Sequence, residues 1–176
     1  MLELRRFAAR DEALLVAYLN DDALTYFLSA RIPQPYTIES ARWWINTGST
    51  VGIVYAIIYD GILVGSISAL PGEFEKQRTA EIGYWVARPY WGKGIASLAL
   101  QAFTQRVFES TNMVRLFASV FAANLASAKV LTKCGYTLDA VLQSALYKNG
   151  HVFNELHFSK TRALSNSHSN AAVRTT

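Results

Sequence analysis

Apolar and polar positions alternate from the first residues, and this period of two predicts a strand over Leu2–Phe7. Ala8–Leu28 carries two short helical patterns broken near Asn20-Asp21-Asp22, after which Pro33 and Pro35 force a loop. Thr37 is placed to cap a helix running to about Asn46, with Glu39 in the dipole-favoured first turn. Val51–Tyr59 and Ile62–Leu70 are β-branched runs joined by Asp60-Gly61, a pair suited to a tight hairpin turn. Pro71–Arg78 is a polar connection, followed by a strand over Thr79–Ala87. From Ile95 to Phe108 the apolar residues Ile95, Leu98, Ala99, Ala102, Phe103 and Val107 recur at three- and four-residue steps, which predicts a helix buried along that face. Strands follow over Val114–Phe121, Tyr136–Tyr147 and His151–Lys160, the last two joined by Asn149-Gly150. Asn124 is suited to start a helix between them and Gly135 to stop it. Residues 163–176 lack periodicity, are rich in small polar groups, and read as a disordered tail beyond a single domain over 1–162.

The most informative join is Tyr84-Trp85-Val86-Ala87-Arg88-Pro89-Tyr90-Trp91-Gly92-Lys93-Gly94-Ile95-Ala96, a strand that passes through two glycines straight into a helix. The first turn of a helix leaves its amides without intrahelical partners and carries about half a positive charge, so a phosphate there gains hydrogen bonds and dipole energy together. Two common phosphate motifs do not fit. A Walker loop needs glycine where Ala87 stands and Ser or Thr where Gly94 stands, and a dinucleotide fingerprint needs glycine where Ser97 stands.

The segment Trp91-Gly92-Lys93-Gly94-Ile95-Ala96 resembles the cofactor motif of the GNAT superfamily of N-acetyltransferases, and within it the RimJ/RimL-type branch that acetylates ribosomal-protein N-termini. The superfamily pattern has Gln or Arg first, where Trp91 stands here. A second resembling segment runs from Ala122 to Tyr136, Ala-Ala-Asn-Leu-Ala-Ser-Ala-Lys-Val-Leu-Thr-Lys-Cys-Gly-Tyr. The resemblance implies an α/β fold with a twisted mixed sheet of about seven strands, splayed in the middle and flanked by about four helices. It implies acetyl-CoA as co-substrate, held by the backbone of Trp91, Gly92, Lys93, Gly94, Ile95 and Ala96, with Asn124 and Ser127 alongside. In the family geometry the thioester lies in the splay, with a main-chain N–H near Val86 facing its oxygen.

Acetyl transfer to an amine needs a neutral nitrogen, a polarised thioester carbonyl and a stabilised thiolate. By resemblance Glu81 is the base candidate, on the same strand face as Gly83 and Trp85. The usual acid of the superfamily, a Tyr seven residues after the Asn, is absent because Leu131 stands there; Ser127 takes the sulfur side in this branch, as acid or hydrogen-bond donor. Phe27 and Tyr36, beside the Pro-rich loop, are expected with Trp85 to line the acceptor cleft. A protein α-amine of pKa about 7.7 to 8.0 is neutral in roughly one molecule in ten at pH 7, against about one in 2,500 for a lysine-like amine. The gap is about 3.5 kcal/mol, so an N-terminal acceptor needs only a weak base, and no carboxylate beyond Glu81 stands out as pinned to the site.

The composition fits this reading without narrowing it. A chain of 176 residues, 51% hydrophobic, is expected to bury one full core, has no run of apolar residues long enough to span a bilayer, and starts with a charged stretch unlike a signal peptide, which suggests a cytoplasmic protein. Cys134 is the only cysteine and three histidines are scattered, so neither a disulfide framework nor a metal set is expected. The net charge of +4 comes from dispersed basic residues rather than a run, so a nucleic-acid partner is the weakest option and a polyanionic cofactor suffices. Expected partners are acetyl-CoA and a primary amine, with the protein a monomer or homodimer. Two other readings stay open: transfer to a small amine such as an amino acid, polyamine or aminoglycoside, and a coenzyme-binding module without catalysis, which the missing Tyr motivates.

Overall fold

A computed structural model describes residues 1–163. The tail expected from residue 163 onward lies, past its first residue, outside the described residues. The chain order is β1 (Leu2–Arg5), α1 (Glu12–Leu19), α2 (Asp22–Thr25), α3 (Ile38–Asn46), β2 (Ile53–Tyr59), β3 (Ile62–Pro71), β4 (Thr79–Val86), α4 (Ile95–Ser110), β5 (Arg115–Phe121), α5 (Leu125–Lys133), β6 (Thr137–Lys148) and β7 (His151–Thr161). The break expected at Asn20-Asp21-Asp22 separates α1 from the single turn of α2, where the Asp21 carboxylate accepts the Ala23 N–H. Both hairpin turns carry paired positive φ angles, 50° and 81° at Asp60-Gly61 and 51° and 79° at Asn149-Gly150. That is the turn whose twist matches the strands it joins.

The seven strands form one mixed sheet in the order β1-β2-β3-β4-β5-β7-β6. All neighbours are antiparallel except β4 and β5, which run parallel and stay in register for only three pairs, Thr79↔Arg115 to Glu81↔Phe117. Beyond Glu81 the two strands part. The sheet is thus two antiparallel halves joined at one end of its central pair, which is the splayed seven-strand form expected from the sequence.

One core lies between the sheet and the pair α4 and α5, built on Ile82, Val86, Ile95, Leu100, Phe103, Leu116 and Leu131. A second lies on the opposite face, where α1 and α3 cover β2 and β3 around Leu15, Leu19, Ala41, Val54 and Leu63. The buried face of α4 differs from the periodicity reading. Leu98 is half-exposed and Ala102 faces solvent, while Ser97 and Thr104 are buried. Thr104 has its partner inside, sharing a hydroxyl hydrogen bond of 2.7 Å with Tyr136, and at Ser97 the main-chain carbonyl accepts the Cys134 thiol at 3.4 Å. A hydropathy pattern ranks Leu98 above Thr104, but a buried hydroxyl that is bonded loses little by leaving water.

Candidate active site

The parting of β4 and β5 organises everything around it. On the β3 side, Gly72 N–H donates to the Thr79 carbonyl and Ala87 N–H to the Val64 carbonyl, so odd-numbered residues of β4 point their main-chain groups at β3. Alternation then turns the N–H and C=O of Tyr84 and Val86 toward the gap, past the last pair that β5 makes. The Val86 carbonyl is used by the loop itself, which it anchors by accepting the Trp91 indole N–H at 2.5 Å. The Val86 N–H stays turned into the gap. This bond is a physical reason for tryptophan where the superfamily pattern has Gln or Arg.

Both helices that follow the parted strands begin at its open end. Gly94 is the N-cap of α4 with φ of 74°, a left-handed conformation that favours glycine, and no side chain caps the helix. No backbone carbonyl among the described residues takes the N–H of Ile95, Ala96 or Ser97, and no acidic residue sits in the first turn. A Cβ built on Gly92 or Gly94 would meet nothing within 4 Å, so the loop that leads into α4 is uncrowded on that side. The Lys93 ammonium stands 5.1 Å from the Tyr90 ring centre and adds a positive charge to the same loop. These features fit a pyrophosphate: unpaired donors, a positive dipole end and room.

At α5 the Asn124 side-chain Oδ1 accepts the Ser127 N–H at 3.1 Å, a cap contributing about 1 kcal/mol. The Ser127 hydroxyl is held from the other side of the gap. Tyr84 reaches from β4 to α5, its hydroxyl 2.9 Å from Ser127 Oγ and 3.2 Å from the Ser127 carbonyl. Burial pushes the Tyr84 phenol well above the ordinary tyrosine value, so it stays protonated at any working pH. Sequence reading missed this contact, because nothing local ties residue 84 to residue 127; the only signal was that Tyr84 shortly precedes the first resembling segment and Ser127 lies within the second.

The face of β4 away from α4 carries Glu81, exposed at the closed end of the gap and with no hydrogen-bond or ion-pair partner among the described residues. Trp85 shares that face and packs edge-on to Tyr18, ring centres 6.4 Å apart. Phe27 packs on Phe121 of β5 at 5.7 Å and Phe121 on Phe153 of β7 at 5.3 Å, forming an aromatic wall on the other side. Lys148, near the tip of the β6–β7 hairpin, donates to the Thr25 and Leu28 carbonyls and ties that tip to the segment bearing Phe27.

Tyr36 departs from its expected place. It is 5% exposed in the core under α1 and α3, its main-chain groups fastened by Asn20, and burial pushes its phenol up to about 12. It packs rather than lines a cleft: the polar loop around it folds back against α1 instead of reaching out. One further carboxylate comes to the Glu81 side of the sheet. Glu155 of β7 is on the same sheet face as Glu81 and lies 3.2 Å from His157 Nε2, and Ser119 Oγ is 3.5 Å from that same nitrogen. Strand pairing brings these residues near the gap from far along the chain, beyond the reach of motif spacing.

Cys134 closes α5 from inside. It is buried, and burial pushes its thiol up, which disfavours the thiolate that a nucleophile needs.

Comparison with known proteins agrees with this geometry. Residues 1–137 match a family model described as an acetyltransferase (GNAT) domain. The Bacillus subtilis protein named uncharacterized N-acetyltransferase YoaA is 30% identical over 157 residues, covering 85% of this chain and 86% of its own. The Escherichia coli ribosomal-protein-serine acetyltransferase is 32% identical over 96 residues, 54% of this chain and 53% of its own. Among solved structures, RimL, a ribosomal L7/L12 α-N-protein acetyltransferase in complex with coenzyme A, superposes with a TM-score of 0.80 at 25% identity, covering 91% and 93% of the two chains.

Proposed function

The chain belongs to the GNAT acetyltransferase family, and from that premise we propose that this acetyl-CoA-dependent N-acetyltransferase acts on protein or peptide N-terminal α-amines. The observation that carries the reading is the gap beyond Glu81 and Phe117, onto which the uncapped first turn of α4 and the Ser127 hydroxyl both open.

Each requirement of the reaction has a candidate group there. The backbone amides from Gly92 to Ala96 hold the pyrophosphate, with Trp91 fixing the loop and Lys93 adding charge; Asn124 shapes the start of α5. The Val86 N–H faces the thioester oxygen and stabilises the negative charge that develops on it. Glu81, free of any ion pair, takes a proton from the acceptor directly or through water, and Ser127 donates a hydrogen bond to the leaving sulfur. Transfer is direct within a ternary complex, since the one cysteine is buried with a raised pKa.

The acceptor class is supported by the ribosomal-protein relatives and by aromatic contact area on both sides, Phe27 and Phe121 on one and Trp85 on the other. One observation favours a small or side-chain amine instead: Glu155 beside His157 gives the same sheet face a second carboxylate, which a more basic amine would use. Incubating the protein with acetyl-CoA and a panel of N-terminal peptides, N-blocked lysine peptides and small amines decides between them. Thiol release together with one added acetyl mass on peptide α-amines is the expected result. Acetylation confined to small amines would replace this reading with the second, and coenzyme binding without thiol release across the panel would leave a non-catalytic module.

A further inference from the structure

We propose that Tyr84 is a positioning residue whose hydroxyl donates to Ser127 Oγ and thereby turns the Ser127 proton toward the sulfur of coenzyme A as it leaves. The inference rests on the reading that Ser127 faces that sulfur.

The geometry allows two proton arrangements and no others of comparable merit. Tyr84 has one proton and two acceptors within reach, the Ser127 carbonyl at 3.2 Å and Ser127 Oγ at 2.9 Å. With its proton on the carbonyl, Tyr84 oxygen accepts from Ser127, and the serine proton is spent on Tyr84. With its proton on Oγ, the serine O–H is released to donate elsewhere. A developing thiolate selects the second arrangement, because it offers Ser127 an anionic acceptor, and hydrogen bonds to ions are stronger than neutral ones. The switch needs only a rotation of two hydroxyls, with no heavy atom displaced.

Proton transfer along the pair is a different matter. A thiol ordinarily titrates near 8.5 and a free tyrosine near 10, and burial holds Tyr84 higher still. Moving a proton from Tyr84 through Ser127 to the thiolate therefore runs uphill and would leave a buried tyrosinate. In the overall step the acceptor nitrogen bonds to the acetyl carbon, the carbon–sulfur bond breaks with its electron pair on sulfur, and the proton lost by nitrogen ends on sulfur. Tyr84 and Ser127 finish with the protons they began with. Their contribution is a polarised hydrogen bond during bond breaking, which is why a weakly acidic serine suffices.

Tyr84→Phe keeps the ring and removes only the hydroxyl. With Ser127→Ala and the double variant it forms a cycle read by kcat, by KM for acetyl-CoA and by the pH profile. We expect each single variant to lose about tenfold in kcat with KM within about twofold, and the double variant to be no slower than Ser127→Ala. The pH profile should keep its shape, since no proton leaves Tyr84. If Ser127→Ala alone slows the reaction, or if the double loss is the product of the two single losses, Tyr84 does not act through Ser127 and the inference falls while the role of Ser127 stands. If Ser127→Ala turns over like the parent, the sulfur-side role of Ser127 fails and takes this inference with it. Should Tyr84→Phe fold poorly, a difluorotyrosine at 84 keeps the hydroxyl bond and makes it a stronger donor; it should match or exceed the parent kcat near neutral pH, and a fall would count against the proposal.

Discussion

Gly94→Ala separates the two demands made on the loop before α4. Its φ of 74° places alanine in the left-handed region, at about 1 to 2 kcal/mol, while the added methyl meets no protein atom within 4 Å. The stability loss is therefore conformational, and for a chain of this length it lowers Tm by roughly 2 to 8 °C. Ligand binding suffers for a separate reason. On the proposed reading the methyl enters the open space that the ligand shares, so a pyrophosphate must retreat from at least one charge-assisted hydrogen bond of about 1.5 to 3 kcal/mol, a loss of about ten- to over a hundredfold in affinity. Gly61→Ala is the matched control: φ is 81°, nothing lies within 4 Å, and the turn between β2 and β3 is no part of the loop that leads into α4. It should lose the same stability and bind as the parent. Calorimetric titration of acetyl-CoA into both variants, with thermal unfolding of each, reads the two effects apart. Equal coenzyme affinity in Gly94→Ala and Gly61→Ala would refute the placement of the pyrophosphate.

Glu81→Gln should lower kcat/KM for an α-amine peptide about tenfold at pH 7 and recover most of it as pH rises past the amine's own value near 8, because the acceptor then loses its proton unaided. A deficit that persists to high pH in steady-state rates would show that Glu81 orients substrate instead of accepting a proton. Cys134→Ala should leave kcat within about twofold while costing about 1 kcal/mol of stability in denaturant titrations, since the thiol is buried packing; near-complete loss of turnover would overturn direct transfer. Asp11 is 2% exposed and accepts two 2.7 Å bonds from Arg5 and one from Ala8 N–H. Burial pushes its carboxyl up, but these bonds and the Arg5 charge outweigh it and hold the folded value below that of a free aspartate. The contribution is thus present above the free-aspartate value and lost as pH falls through the lower folded value, and Asp11→Ala should remove about 3 kcal/mol at pH 7 but less at a pH below the folded value by chemical denaturation. An equal penalty at both pH values would exclude the ion pair as its source.

What the chain order discloses and what it hides follow from the range of the forces involved. Both hairpins, the cap at Asn124 and the glycine turn before α4 are set by residues within a few positions of one another, so Asp60-Gly61, Asn149-Gly150 and Gly92-Lys93-Gly94 signal them directly. Hydrophobic period located α4 but misjudged its inner face, because Thr104 is buried through a bond to a tyrosine 32 residues away, and period cannot count a bond. Tyr36 failed for a similar reason: its neighbours in sequence are loop residues, while its neighbours in space are α1 and α3.

The site itself divides along the same line. The half proposed to bind the anion is a local object, a strand, two glycines and a helix, and that geometry was legible as such. The half proposed for catalysis is not local: β4 and β5 lie side by side and then separate with Tyr84 bonded to Ser127, Phe27 packs on Phe121 of β5, and the pairing of β5 with β7 sets Glu155 beside Phe121. No spacing rule encodes those pairs. Their geometry depends on where the parallel ladder stops, and it stops at the pair that includes Glu81. A substitution that extended the ladder by one or two pairs would therefore be expected to close the gap and abolish turnover even with every named side chain intact.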